Sequence, residues 1–180
     1  MAETQEKQQG GKISRTTGTP GQAISYWSWP VLLSALVFAL DQASKILVDK
    51  FFEYGSSRTM IPGIFELVHY RNTGCAWGML SERTWLLALF SLATFILIAF
   101  FFKKWCNNSR FIAISLSLLE GGILGNMIDR AFRCSVIDFL DFHIGVHHWP
   151  AFNIADSAIC IAVAMLLFDS FFLQKPKQEK

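Results

Sequence analysis

Three pairs of polar residues recur at helical spacing inside otherwise apolar stretches: Asp41 with Lys45, Asn126 with Asp129, and Asn153 with Asp156. Positions three or four apart lie on one face of a helix, so each pair points one way. A charged group in a membrane-length apolar run costs at least ~2.5 kcal/mol to insert and is kept where it has a partner or a task. A further carboxylate, Asp138 or Asp141 in SVIDFLDF, lies just upstream of Asn153 and can reach the same level. If that segment is a strand, the odd separation of the two aspartates turns them to opposite faces, so only one can face Asp156. The residues alone leave both open. Two carboxyls brought together share one proton, because close like charges resist ionising together, and such a pair can activate water against an amide.

The elements that must position these groups follow from hydropathy. The 180-residue chain is 52% hydrophobic and only 17% charged, with room for one domain. Residues 85–102, WLLALFSLATFILIAFFF, are an uncharged apolar run. At 1.5 Å per residue it nearly crosses a hydrocarbon core about 30 Å thick. Three more apolar segments carry the polar pairs, giving expected spans at about 28–49, 84–103, 111–130 and 151–173. Lys7, Lys12, Arg15, Lys103, Lys104, Arg110, Lys175, Lys177 and Lys180 then gather on one side, while the 50–83 and 131–150 connections are poorer in Lys and Arg. By the positive-inside rule both termini are cytoplasmic. In that topology Asp41, Lys45, Asn126, Asp129, Arg130, Asn153 and Asp156 all come near the outer face.

Residues 1–25 are rich in Gln, Gly, Thr and Lys and read as a disordered cytoplasmic tail, with 174–180 a second tail. The apolar pattern continues past Val37 and Ala39 to Val48, which favours an uncleaved anchor over a signal peptide. In the outward loops, IFELVHY at 64–70 reads as a short strand, and Asn72, Gly74 and Gly78 as the turn after it. SVIDFLDFHI reads as a second strand or an interfacial segment. Gly121, Gly122 and Gly125 leave room for a neighbouring helix to approach closely. The four cysteines have no paired metal or redox spacing; Cys75 and Cys134 face outward and could pair in principle.

Each polar group also has a purely structural reading. Asp41 with Lys45 is then an ion pair that orients helices, and Asn153 a helix cap with Asp156 in the first turn. Arg130 is then an interfacial anchor, and His147 and His148, lacking metal-ligand spacing, are surface residues. A proton- or ion-coupled transporter would use the same carboxylates as a relay, but the inner half offers only Asp169 and Glu120. A structural subunit would leave the polar motifs without a task.

Taken together, DQASK at 41–45, NTGCAWG at 72–78, GGILGNMIDR at 121–130, VIDF at 136–139 and FNIAD at 152–156 resemble the lipoprotein signal peptidases, the signal peptidase II family of membrane aspartic peptidases. The likeness runs over nearly all of residues 28–173, with Cys75 and Trp77 departing from the usual Ala and Phe. It implies an all-α membrane bundle of four transmembrane helices with a small extracytoplasmic β-rich cradle and a short amphipathic helix beside it. It implies Asp138 and Asp156 as the catalytic pair, in preference to Asp141. Asp41, Lys45, Asn72, Gly122, Asn126, Asp129, Arg130, Asn153 and Ala155 would bind substrate or support the site. The expected reaction removes the signal peptide of a diacylglyceryl-modified prolipoprotein by cutting before its lipidated cysteine, at the outer face of a bacterial inner membrane. No metal or other cofactor is expected. The partners are that substrate and membrane lipid, not nucleic acid, and the chain is expected to act as a monomer.

Overall fold

The computed structural model describes residues 20–74 and 83–173, with side chains from residue 28 onward. Helix α1 spans Pro20–Phe51, α2 Thr84–Cys106, α3 Arg110–Arg133 and α4 Ile154–Phe168, the last running into a π-helical turn at Asp169–Leu173. All four are long and apolar enough to cross a membrane. Phe90 and Phe100 on α2, Phe51 on α1 and Phe132 on α3 point outward and are mostly exposed. So much outward apolar surface fits hydrocarbon and not water.

Boundaries differ from expectation where capping chemistry decides them. α1 already begins at Pro20, so residues 20–25 of the expected tail are helical; proline at a first helical position gives up only an N–H that has no partner there. α3 continues to Arg133, three residues past the expected end. Span four starts at Ile154 and not at 151, because Asn153 caps it. Between α2 and α3, Asn107 and Asn108 take positive φ (43° and 62°). Asparagine tolerates that conformation, and Ser109 then caps α3 by accepting from Ile112 N at 3.3 Å.

Four strands lie side by side in chain order in one antiparallel sheet, β1 Ser57–Ile61, β2 Phe65–Asn72, β3 Val136–Ile144 and β4 His147–His148, with α2 and α3 between β2 and β3 in the chain. Chain order places this sheet at the end of the bundle where α1 and α3 finish and α2 and α4 begin. Ile137 and Phe139 anchor it by packing with Val48 near the end of α1. NTGCAWG is described only to Gly74, so the rest of that motif, and any pairing of Cys75, lie outside the described residues. No short amphipathic helix beside the sheet is found among the described residues.

α3 lies against α1, α2 and α4, and its glycines set the separations. A Cβ on Gly121 would lie 2.7 Å from Ser34 O on α1; one on Gly122 would lie 2.6 Å from Ala155 O and 2.8 Å from Ile159 Cγ1 on α4. A backbone carbonyl cannot turn aside as a side-chain tip can. Gly122→Ala is therefore expected to force α3 and α4 apart at the cost of about 1–3 kcal/mol, lowering the unfolding midpoint in detergent by several degrees. An unchanged midpoint would mean the close approach is not needed.

Candidate active site

Lys45 is the hub of the polar cluster. It is fully buried, and an ammonium in that position must satisfy all its donors. Its Nζ lies 2.8 Å from Asp41 Oδ2, 2.8 Å from Asp129 Oδ2 and 3.0 Å from Asn126 Oδ1. The pairs four and three apart in sequence thus interlock across α1 and α3. Asp129 also pairs with Arg133 one turn later, and Arg133 Nη1 donates to Gln42 Oε1 at 3.1 Å. Two carboxylates are matched by two cations, as low-dielectric surroundings require.

The hub fixes amide orientations further out. Because Asn126 Oδ1 accepts from Lys45, its NH2 is left to donate to Asp156 Oδ1, at 2.7 Å. Asn153 is the N-cap of α4 and forms a capping box with Asp156: Asn153 Oδ1 accepts from Asp156 N at 2.9 Å, and Asp156 Oδ2 accepts from Asn153 N at 3.3 Å. With its oxygen so engaged, Asn153 turns its Nδ2 to Asp138 Oδ1 at 2.7 Å. The other oxygen of Asp138 accepts from Asn72 Nδ2 at 3.2 Å. One asparagine therefore holds both carboxyls, and capping and site-building are a single interaction.

Ala155 is fully buried and its N–H donates to Asp41 Oδ1 at 2.9 Å, tying the first turn of α4 to α1. Gly122 lets that turn come close enough. Arg130 reaches Gly74 O at 3.3 Å, at one wall of a cavity of ≈ 830 Å³ that Trp85, Leu89 and Met127 also line. Asp141 goes elsewhere: it is buried and bonded to His148.

Two participants escaped selection from sequence. Gln42 donates to Asp129 Oδ1 at 3.1 Å, and Arg133 completes the charge balance. Arg133 was legible, since it follows Asp129 by four positions, but only once the helix is known to continue past residue 130.

Burial pushes the Asp138 carboxyl up from its ordinary 3.8 to about 7, with the Asp156 charge adding to the rise. The amides of Asn72 and Asn153 and the charge of Lys45 oppose it. At neutral pH this carboxyl is thus poised between its two forms, beside a second carboxyl whose oxygens are both engaged by donors. Such an arrangement can take a proton from water with one group while the other donates to a carbonyl oxygen.

The family model described as signal peptidase (SPase) II matches residues 33–172. The chain is similar to the lipoprotein signal peptidase of Geobacter metallireducens, 43% identical over 141 residues, which covers 77% of this chain and 87% of that one. It is also similar to two solved structures of a bacterial membrane enzyme obtained by the in meso method. One, at 2.3 Å resolution, shows 33% identity over 86% of this chain and 96% of that one, with a TM-score of 0.75. The other, at 1.9 Å, shows 31% identity over 83% and 96%, also with a TM-score of 0.75.

Proposed function

From the signal peptidase II family, to which this chain belongs, we propose that Asp138 and Asp156 are the catalytic pair with which it works. The protein is a membrane peptidase that removes signal peptides from prolipoproteins. The observation that carries the assignment is Asn153, donating to Asp138 while capping Asp156.

One aspartate, ionised, takes a proton from water as the oxygen attacks the scissile carbonyl; the other, protonated, hydrogen-bonds the carbonyl oxygen as it gains charge. When the C–N bond breaks, the departing amine takes a proton from the first carboxyl, and the pair again holds one proton between two groups. Lys45, Asp41, Asp129 and Asn126 act through the orientation of Asn126 and the first turn of α4, holding the pair in register. The substrate carries a diacylglyceryl-modified cysteine and is cut just before it. Its acyl chains suit the apolar cavity beside Trp85 and Leu89, with Arg130 at the headgroup level. Incubating the purified chain in detergent with a lipidated prolipoprotein tests this reading; the expected product begins with the modified cysteine, and no cleavage would overturn it.

The sheet and the aspartate pair lie on the outer side, with both termini in the cytoplasm. The support is Lys103, Lys104 and Arg110 at the opposite end of the bundle from the sheet. A reporter active only in the cytoplasm, fused after Lys180, is expected to give signal; silence with the fusion intact in the membrane would reverse the orientation.

A further inference from the structure

Asp141, His143 and His148 offer one ligand atom each, all within 4.8 Å of one another. They belong to one face of the sheet, since Asp141 and His143 are two apart on β3 and His148 is paired opposite His143 on β4. Asp138, an odd number of positions away on the same strand, is on the other face. Three observations indicate that the cluster is built to receive something. His143 is buried at 8% exposure, yet its Nδ1 makes no hydrogen bond among the described residues, and it stands 3.7 Å from Asp141 Oδ1. His148 Nδ1 addresses the same carboxylate at 2.8 Å and 3.0 Å, and the two imidazoles stack at 4.5 Å and 22°. Both rings thus direct Nδ1 at one carboxylate. Across the strand pair, Glu66 is directly opposite Asp141, an arrangement of like charges that costs stability unless a cation intervenes.

We propose that Asp141, His143 and His148 form a binding site for a divalent transition-metal ion, with zinc the best-fitting probe. Imidazole nitrogen and carboxylate oxygen are ligands that zinc takes at about 2.0–2.2 Å, which sets tetrahedral donor atoms about 3.4 Å apart. The Asp141 distances of 2.8 Å and 3.7 Å bracket that spacing; to take the ion, the stacked rings turn about their side-chain torsions until it lies in both ring planes. Each imidazole binds as its neutral tautomer, with the proton on Nε2 and Nδ1 free; a water fills the fourth position. The hairpin so clamped turns at Gly145, whose φ of +61° suits a two-residue loop, and its two ends lead to Asp138 and to Asn153. The ion thereby stiffens the segment between the two aspartates without touching either. The absence of a metal-ligand spacing around His147 and His148 in sequence is no obstacle, because the other two ligands, Asp141 and His143, arrive across the hairpin.

The test uses the full chain in detergent, stripped with chelator and titrated with zinc by calorimetry and thermal unfolding. One zinc per chain is expected, with the midpoint rising by several degrees at saturation and magnesium giving no such rise. Cobalt in place of zinc should develop the visible absorption of a tetrahedral site. His148→Ala, at a half-exposed position that tolerates substitution, should weaken zinc at least tenfold, and Asp141→Asn likewise, while His147→Ala should not. No saturable zinc binding, or equal affinity in His148→Ala and the parent, would overturn the proposal.

Discussion

Asp138→Asn and Asp156→Asn are each expected to cut turnover by about 1,000-fold or more, while lipidated-peptide binding stays near the parent's. An amide keeps the shape of the carboxyl and one of the two hydrogen bonds it accepts but cannot exchange the proton the reaction needs. Asp141→Asn should keep most activity, because Asp141 is bonded to His148 and faces away from Asp138. Loss of activity must be separated from loss of fold, and the raised value of Asp138 provides the means. Between its ordinary 3.8 and its folded value of about 7, the folded protein holds a proton that the unfolded chain has released. Stability therefore falls as pH rises through that window, and the cost is fully present above about 7. Asp138→Asn has no such cost. Its unfolding midpoint should exceed the parent's at pH 8, by up to a few kcal/mol in stability, and the advantage should vanish near pH 4. An inactive variant that is also less stable at pH 8 would point to misfolding and not to lost chemistry. Equal activity loss in Asp138→Asn and Asp141→Asn, with both folded, would remove the distinction between them.

Lys45→Met is expected to destabilise the bundle by about 3–5 kcal/mol, since it leaves Asp41 and Asp129 buried without their shared cation. Little folded protein should survive extraction. The sign of the effect depends on those two carboxylates, not on the lost methylenes, because methionine fills a similar volume. Adding Asp41→Asn and Asp129→Asn to Lys45→Met should recover much of the stability, as a neutral replacement of a whole buried cluster often does. Activity should not return with it, because the amide of Asn126 loses the donor that orients it. If Lys45→Met alone unfolds at the parent's midpoint, the hub is not what holds α1 to α3.

The helical pairs were legible because their spacing is short-range: Asp41 with Lys45 is an observed ion pair at 2.8 Å, and Asn153 with Asp156 a capping box. Four apolar helices and strands at 65–72 and 136–144 were legible for the same reason. What spacing could not supply were relations across the chain. β1 carries Ser57, Arg58 and Thr59 and is exposed throughout, so no alternation marks it; two-residue β4 is defined only by pairing with β3. Arg133 lies three residues past the span end expected at 130, so spacing alone does not put it on the helix face of Asp129. His148 looked like a surface residue because its partner is seven positions back across a turn. The parity of β3 says that Asp138 and Asp141 diverge but not which one meets α4. That choice came from motif resemblance, and hydrogen bonds place Asp138 on Asn153 and Asn72.

The most direct test of the shared-proton pair is kcat/KM for cleavage of a lipidated prolipoprotein as a function of pH, which reports ionisations of the free enzyme. The prediction is a bell. Rate falls on the acid side as the pair takes up a second proton and no base remains, and on the basic side as Asp138, with its value of about 7, gives up the proton that polarises the carbonyl. A rate that climbs steadily through pH 9 with no basic limb, or a bell that Asp156→Asn leaves unchanged in height and position, would contradict the account.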